Sequence, residues 1–250
     1  MTEPVYIVSV VRDYDMYGRC VLDNPYCKGL KAVALDNREE NLSISVRYNQ
    51  FLDSCTEPAW IIFCHEDWRL DCDIMPLLSD LDKGYLYGPI GVWIRECRNS
   101  DFLEVRGRTV DGPKDGSKAF VYRGMSLDGK VDTFDCQCLI VHNSLVREMG
   151  LRFDESLSFD LYVEDFCVSA FEEYDIESRI LPLECRHYSL GTIGQRFYES
   201  LSYLREKYAN AVKRHATIVG RHETFGRNSE KPIYYLHRTL GAWLRYWIKK

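Results

Sequence analysis

The chain has 250 residues, of which 46% are hydrophobic and 28% charged, and its formal net charge is −6. This length is enough to bury a sizeable core, so we expect one α/β domain followed by a tail. The acidic balance excludes bulk nucleic-acid binding, which needs a basic surface, although Arg12 and the Arg-Gly-Arg stretch at 106–108 can attract an anion locally.

The ten cysteines are spread along the chain without the short loops of a disulfide framework. Residues 1–4 show no basic segment followed by a long apolar stretch, so we expect no signal peptide, and no apolar run approaches the ~20 residues of a membrane span. We therefore expect a cytoplasmic protein with reduced thiols. The cysteine spacings also lack paired CxxC motifs, so we expect no structural zinc site.

The first part of the chain predicts alternating strands and helices of a largely parallel sheet. Apolar, β-branched runs predict strands at residues 5–11, 30–35, 59–64 and 85–90. Asn41 is the expected N-cap of a helix whose buried face carries Ile44, Tyr48, Phe51 and Leu52. A shorter helix is expected at residues 74–81.

The second part predicts a long loop, four further elements and a tail. Residues 95–129 are rich in Gly, Asp, Lys and Arg and are expected to form a loop with one hairpin at most. Strands are expected at residues 131–141 and 176–183, and helices at 166–174 and 193–214. We place the domain boundary after residue 215 and expect residues 216–250 to form an amphipathic helical tail, with a Leu and Trp stripe from residue 232 onward.

The most informative motif is His65-Glu66-Asp67, which follows the apolar run Trp60-Ile61-Ile62-Phe63. Titratable side chains at the end of a buried strand indicate a polar ligand, because ligands of open α/β sheets collect at the carboxyl ends of strands. Alternation along an extended chain puts His65 and Asp67 on one side and Glu66 on the other. An imidazole and a carboxylate suit a divalent cation that a phosphate can complete. The alternative is a solvated turn.

Three further places carry side chains that suit chemistry. Asp36-Asn37 ends the second strand, where a carboxylate can accept hydrogen bonds from a nucleobase or ribose, or simply start a turn. Glu164 and Asp165 open a helix, where they either include a general base or only stabilise the helix dipole. His187 follows a predicted strand and is either a ligand or an ordinary strand-end residue.

In this order, the motifs resemble those of nucleotide-sugar-dependent glycosyltransferases with the GT-A fold, in particular the large inverting family 2. His65-Glu66-Asp67 stands where that family has Asp-x-Asp, and is nearest to a branch with His-x-Asp. The resemblance covers residues 4–190 and rests further on the first strand, Asp36, Asn49 in the following helix, the Tyr162-Val163-Glu164-Asp165 pattern and His187.

The resemblance implies a GT-A fold, in which a Rossmann-like, mostly parallel sheet is flanked by helices, here with a C-terminal helical extension. It implies an inverting enzyme that moves a sugar from a nucleotide-diphosphate sugar to a glycan or lipid-linked acceptor, in bacterial surface polysaccharide or glycolipid synthesis. The implied catalytic residues are Asp165, as general base, and its neighbour Glu164. The implied metal ligands are Asp67, His65 and His187, and imidazole ligation favours Mn²⁺ over Mg²⁺. The implied donor-binding residues are Val10, Arg12, Asp36, Asn37, Glu66 and Asp135.

Two other functions remain open from the residues. A sugar-phosphate nucleotidyltransferase uses a similar metal-bound nucleotide, but Arg12-Asp13-Tyr14-Asp15 is not the Gly-rich, basic loop that such an enzyme needs. A catalytically degenerate GT-A domain, acting as a scaffold or binding module, would explain the missing first Asp of Asp-x-Asp. The tail also has two interpretations: it packs on the main domain, or it lies as a peripheral helix on an anionic membrane surface.

Overall fold

A computed structural model of the chain describes residues 3–191, 193–219 and 222–236. Numbered in chain order, the strands of the described residues are β1 (Val5–Val11), β2 (Lys31–Asp36), β3 (Trp60–Cys64), β4 (Trp68–Leu70), β5 (Leu86–Gly88), β6 (Ile90–Arg95), β7 (Asp101–Asp111), β8 (Phe120–Arg123), β9 (Lys130–Val131), β10 (Thr133–Phe134), β11 (Cys138–His142), β12 (Ser178–Ile180), β13 (Cys185–His187), β14 (Arg214–Ala216), β15 (Thr224–Gly226) and β16 (Ile233–Leu236). The α-helices of the same residues are α1 (Tyr14–Tyr17), α2 (Ile44–Ser54), α3 (Met75–Ser79), α4 (Asn143–Met149), α5 (Tyr162–Tyr174) and α6 (Gln195–Lys207). A π-helix (Gly18–Leu22) and a 3₁₀ helix (Pro25–Cys27) lie between α1 and β2.

Seven strands form the main sheet, in the order β2-β1-β3-β11-β5-β12-β9. β1 pairs in parallel with both β2 and β3, so the carboxyl ends of these three strands meet at one edge. β11 runs antiparallel to β3 and β5, which makes the sheet mixed. The expected α/β class, with a parallel group of strands and flanking helices, is confirmed.

Strand β3 lies at the centre of the core because it is apolar on both faces. Ile61 and Phe63 face one hydrophobic cluster together with Phe166 of α5. Ile62 faces the opposite cluster, which includes Trp68. Full burial contributes about 1.5–3 kcal/mol for each aliphatic or phenyl side chain of this size. Packing on both sides therefore fixes the end of β3, where His65-Glu66-Asp67 begins.

The segment expected as a long loop, residues 95–129, is built into a second sheet. This sheet has the order β10-β6-β7-β13-β4, and β8 and β16 also pair with β7. β7 is its central strand, but only some of its side chains, such as that of Leu103, are buried. The loop prediction was wrong because a strand with one solvated face has a polar composition, and this composition hid the alternation.

Two predicted helix boundaries differ from the structure. Asn41 is not the N-cap of α2, because Ser43 holds that position and its hydroxyl accepts a backbone N–H of the first turn. Asn41 instead has a left-handed backbone conformation, with φ of 49°, in the loop before the helix. The helix expected at residues 193–214 ends at Lys207, and the predicted stripe residue Val212 lies beyond it and is exposed.

Part of the expected helical tail forms strands. β14 and β15 make a two-stranded sheet, and β16 pairs in parallel with β7. Ile233–Leu236, expected in the first turns of an amphipathic helix, therefore extends the second sheet, since pairing with β7 outweighs the helical spacing of its apolar residues. Residues 237–250, with the rest of the predicted helix, lie outside the described residues.

Two expectations about the whole chain can be compared with the described residues. All ten cysteines lie within them and are free thiols. Among the helices of this part of the chain, none is both long enough and apolar enough to cross a lipid bilayer.

The second sheet is packed so closely around Gly107 in β7 that a side chain at this position would meet the backbone of β6 and the residue before it. The φ of Gly107 is +87°, and an added Cβ would lie 2.0 Å from the carbonyl oxygen of Pro89. We predict that Gly107→Ala lowers the free energy of unfolding by about 3 kcal/mol, because a strained backbone and a steric clash act together. Gly150, with φ of +67° and no atom near the added Cβ, is the control and should lose only about 1 kcal/mol. Equal losses in urea unfolding would contradict the prediction.

Candidate metal and ligand-binding site

A cleft of about 750 Å³ opens at the carboxyl edge of the main sheet. Val10, Asn37 and His65, at the ends of β1, β2 and β3, line it from this sheet. The second sheet contributes Asp111, at the end of β7, and Phe120, at the start of β8. Ligands of open α/β sheets bind at such an edge, so the position of the cleft agrees with the sequence-based expectation.

His65, Asp67 and His187 form a cluster in this cleft, with ligand atoms within 4.8 Å of one another. His187 Nε2 lies 3.4 Å from His65 Nδ1 and 3.3 Å from Asp67 Oδ1, and the third side of the triangle is 4.0 Å. The centre of this triangle is about 2.1 Å from each atom, which matches a metal–nitrogen or metal–oxygen bond of about 2.0–2.2 Å. The three side chains therefore form a group that could hold a metal ion.

Two strands of the second sheet bring the cluster together. β13 runs antiparallel to β4, with His187 opposite Trp68. Tyr188 donates its backbone N–H to the carbonyl of Asp67 at 2.9 Å. Because Trp68 is fully buried, the turn that carries Asp67 is held between the packed end of β3 and this strand pair. Backbone pairing thus fixes the positions of the cluster residues relative to one another.

Burial and mutual contact set the protonation of the cluster. Burial acts to raise the pKa of Asp67, but the hydrogen bond and charge of His187 outweigh it and hold this pKa at about 2. Burial lowers the pKa of His65, and His187 lowers it further. Burial also acts to lower the pKa of His187, but the hydrogen bond to Asp67 prevails and raises it. Metal binding requires an ionised carboxylate and neutral imidazoles, so Asp67 and His65 are in the binding form, whereas His187 must first release the proton that Asp67 stabilises.

Five of the six residues expected to bind a donor line the cleft, namely Val10, Arg12, Asn37, Glu66 and Asp135. The sixth, Asp36, does not line it. The carboxylate of Asp36 pairs with Arg38 at 2.6 Å, and both side chains are exposed. Arg38 therefore competes with any hydroxyl that this carboxylate was expected to bind.

The polar side chains among these five residues differ in how much hydrogen-bonding capacity they leave free for a ligand. The amide of Asn37 exchanges two hydrogen bonds with the backbone of Leu42. The carboxylate of Glu66 accepts the backbone N–H of Arg12 at 2.6 Å and of Asp13 at 2.9 Å. Asn37 and Glu66 therefore shape the wall of the cleft.

Arg12 and Asp135 retain more capacity for a ligand. The guanidinium of Arg12 donates one hydrogen bond, to Asn41 at 3.0 Å, and has further N–H groups. Oδ1 of Asp135 accepts the backbone N–H of Gln137 at 3.2 Å. The other carboxylate oxygen of Asp135 makes no hydrogen bond within the described residues.

Asp165, the expected general base, lies in the first turn of α5 and does not line the cleft. It is 1% exposed, and its Oδ1 accepts hydrogen bonds from Lys207 at 2.7 Å and from the Tyr208 hydroxyl at 2.8 Å. Burial raises its pKa, although Lys207 acts against this. Asp165 thus joins α5 to the end of α6, and the geometry gives no support to its role as a base.

Glu164, the second expected catalytic residue, is fully buried directly behind the cleft surface. The thiol of Cys136, a residue that lines the cleft, contacts its Oε2 at 2.9 Å. Its Oε1 has no hydrogen-bond partner in the described part of the chain. Burial raises the pKa of Glu164 to about 8. Asn49, the asparagine of the family resemblance, bonds to the carbonyl of Phe153 and stays away from the cleft.

The sequence does not predict several residues that line the cleft: Asp111, Tyr122, Phe159, Asp160 and Arg196. Asp111 and Tyr122 belong to the segment expected as a loop, and burial raises the pKa of Asp111 to about 6. Asp160 pairs with Arg196 at 2.6 Å, and the Arg196 guanidinium lies over the ring of Phe159. The one available signal was that Phe159-Asp160 directly precedes the acidic pair that opens α5.

No protein-family model matches the chain, and no curated protein matches it. Among solved structures, the crystal structure of GalNAc-T7 with UDP, GalNAc and Mn²⁺ is similar, with a TM-score of 0.50 at 9% sequence identity. The match covers 83% of this chain and 49% of that one, so the chain spans about half the length of that structure. The crystal structure of A197 from STIV has a TM-score of 0.42 at 12% identity, over 75% of this chain and 86% of that one.

At such low identity the similarity to GalNAc-T7 concerns the fold alone. GalNAc-T7 is a glycosyltransferase with the GT-A fold, and the chain therefore has a GT-A-like fold. The expected fold class is confirmed. The His-x-Asp branch stays a prediction.

The raised pKa of Glu164 predicts a pH-dependent stability. The carboxyl group of Glu164 has a pKa near the ordinary value of 4.5 in the unfolded chain and a pKa of about 8 in the folded chain. The stabilisation that the protonated group provides is therefore complete below pH 4.5 and is lost as the pH rises through 8. We predict that Glu164→Gln, which cannot ionise, becomes more stable relative to the parent protein between pH 5 and 8, by up to about 1.4 kcal/mol per pH unit.

Urea unfolding at several pH values measures this difference. Glu173→Gln is the matched control, because Glu173 is exposed on the same helix. A Glu164→Gln profile that runs parallel to that of the control would show that the Glu164 carboxyl group is not held in its protonated form.

Proposed function

We propose that the protein is a metal-dependent glycosyltransferase that moves a sugar from a nucleotide-diphosphate sugar to an acceptor hydroxyl. One observation carries the proposal: His65, Asp67 and His187 converge at the carboxyl edge of a GT-A-like sheet. The volume of the cleft, about 750 Å³, also suits a nucleotide sugar, since small-molecule sites measure about 300–1,000 Å³.

We propose that the cluster holds Mn²⁺. A divalent cation there would supply Lewis-acid stabilisation of the departing diphosphate. Two of the three ligand atoms are imidazole nitrogens, whereas Mg²⁺ prefers oxygen ligands, so the donor set favours Mn²⁺. The structure of GalNAc-T7, a protein of similar fold, contains Mn²⁺ and UDP. This supports the pairing of a metal ion with a nucleotide at this edge of the sheet.

The charged and apolar residues of the cleft suggest how the substrates lie. Arg12, at the end of β1, is placed to attract the diphosphate, and the free oxygen of Asp135 can bind a sugar hydroxyl. Phe120 and Phe159 line the cleft and are 50% and 44% exposed. Exposed aromatic rings bind the apolar surfaces of ligands. A glycan or lipid-linked acceptor fits these rings, in a role such as bacterial surface polysaccharide or glycolipid synthesis.

We further propose that the transfer inverts the anomeric carbon, with a base other than Asp165. The cleft is lined by five carboxylates: Glu66, Asp67, Asp111, Asp135 and Asp160. Glu66 binds two backbone N–H groups, Asp67 belongs to the cluster, and Asp160 is paired with an arginine. Asp111 and Asp135 retain a free oxygen for an acceptor hydroxyl, and a base must reach that hydroxyl within hydrogen-bond distance.

The first test concerns the metal and the nucleotide. We predict that UDP stabilises the protein only with a divalent cation and that Mn²⁺ is more effective than Mg²⁺. At about 100 times the dissociation constant, the bound ligand should add about 2.7 kcal/mol to the free energy of unfolding. Thermal unfolding with UDP, GDP and dTDP, each with Mn²⁺, Mg²⁺ or EDTA, measures the effect. No stabilisation across this panel would refute the proposed function.

Asp67→Asn should abolish the Mn²⁺-dependent part of this stabilisation, since it weakens one of the three ligands. Asp71→Asn is its matched control. Asp67 directly precedes β4 and Asp71 directly follows it. Asp71 pairs with Arg69 at 3.0 Å and does not line the cleft. Equal losses in the two variants would show that a general change in charge, and not the cluster, causes the effect.

The assignment of the base is tested by asparagine variants. We predict that either Asp111→Asn or Asp135→Asn lowers kcat by about 10²–10⁴-fold while nucleotide affinity is kept. Asp165→Asn should mainly lower the free energy of unfolding, because it removes the buried charge that pairs with Lys207. Two active variants at Asp111 and Asp135, together with an inactive but stable Asp165→Asn, would return the role of base to Asp165.

Product analysis separates the proposed function from its alternatives. With nucleotide sugars and an acceptor, a glycosyltransferase releases a nucleoside diphosphate, and proton NMR of the new glycoside reports inversion or retention. A nucleotidyltransferase instead releases pyrophosphate from a nucleoside triphosphate and a sugar phosphate. Nucleotide binding with neither reaction would support a scaffold or binding module.

A further inference from the structure

The hydroxyl of Tyr162 lies between a cluster histidine and a backbone carbonyl. It donates a hydrogen bond to the carbonyl oxygen of Cys136 at 2.8 Å. It also lies 3.1 Å from Nε2 of His65. A phenol has a single proton, and here the carbonyl receives it, since a carbonyl can only accept. The contact with His65 therefore requires Nε2 of the imidazole to donate to the phenol oxygen.

We propose that Tyr162 is a positioning residue that holds His65 in the tautomer with its proton on Nε2. A neutral imidazole carries one proton, so Nδ1 then presents its lone pair. Nδ1 is the atom that lies 3.4 Å from His187 and 4.0 Å from Asp67. The opposite tautomer would point an N–H at these two residues and could not ligate a metal ion through Nδ1. The inference thus deepens the proposed function, on which it rests.

The surroundings keep Tyr162 and His65 in this arrangement. Tyr162 is 1% exposed and packs against the rings of Tyr48 and Phe153. The ring of His65 stacks on Phe159, with an interplanar angle of 23°. Tyr162 cannot turn without losing buried contacts, and His65 cannot turn without losing its contact with the ring of Phe159. The hydrogen bond therefore selects the tautomer, and the stacking restricts the plane of the imidazole ring.

The test uses Tyr162→Phe, which removes the hydroxyl and keeps the buried ring. Tyr208→Phe is the matched control, because the Tyr208 hydroxyl is also buried and hydrogen-bonded, to Asp165, but does not touch the cluster. Long-range proton–nitrogen NMR of the metal-free proteins reports the histidine tautomers directly. We expect His65 to carry its proton on Nε2 in the parent protein and in Tyr208→Phe, and to populate both tautomers in Tyr162→Phe.

Metal affinity gives a second readout, with Mn²⁺ alone as the probe in calorimetric titrations. Loss of such an outer hydrogen bond costs about 10–100-fold in affinity, so Tyr162→Phe should bind Mn²⁺ about 10–100-fold more weakly. Tyr208→Phe should stay within about 3-fold of the parent protein. Thermal unfolding of both variants shows whether they are equally folded when the two affinities are compared.

Three results would overturn the proposal: a proton on Nδ1 of His65 in the parent protein, an unchanged tautomer in Tyr162→Phe, or equal losses of Mn²⁺ affinity in the two variants. The first of these measurements, the tautomer of His65 in the parent protein, needs no variant, so a proton on Nδ1 would overturn the proposal even if Tyr162→Phe does not fold. If the parent protein binds no metal ion while His65 shows the expected tautomer, the proposed function fails and the hydrogen-bond assignment stands.

Discussion

The cluster exists because a backbone contact joins two distant parts of the chain. His65 and His187 are 122 residues apart, and their side chains meet only because β13 pairs with β4. The hydrogen bond from the Tyr188 N–H to the Asp67 carbonyl closes this pairing at the level of the turn. The second sheet is therefore as necessary to the cluster as the parallel strands, since it brings His187 to the edge that the main sheet creates.

The sequence predicts the features whose cause is local and misses those whose cause is long-range. β3 is predictable because the whole pattern that identifies it, a run of apolar residues followed by His65-Glu66-Asp67, lies within eight residues. β7 is not, because its polar residues become a strand only through pairing with β6, β8, β13 and β16. The position of Asp165 depends on Lys207 and Tyr208, which follow it by more than 40 residues. No spacing rule indicates which face of α5 such a partner will cover.

The first turn of α5 serves three different environments within four residues. Tyr162 reaches the metal-capable cluster, Glu164 lies behind Cys136, and Asp165 turns to α6. Successive residues of a helix point about 100° apart, so neighbours in sequence reach separate surroundings. This explains why a short motif resembling a catalytic pattern is poor evidence about the role of each residue in it. The tyrosine, which the pattern would not single out, is the member that contacts the cluster.

The contacts of Glu66 have a consequence for anion binding. Two consecutive main-chain amides at the end of β1 already serve an internal carboxylate, so they cannot cradle an incoming phosphate in the manner of a glycine-rich loop. Under the proposed function, the charge of a diphosphate would then be compensated by the guanidinium of Arg12 and by the proposed metal ion. Under that proposal, binding of the anion would depend on the cellular supply of the metal ion, and a chelator alone would empty the cleft.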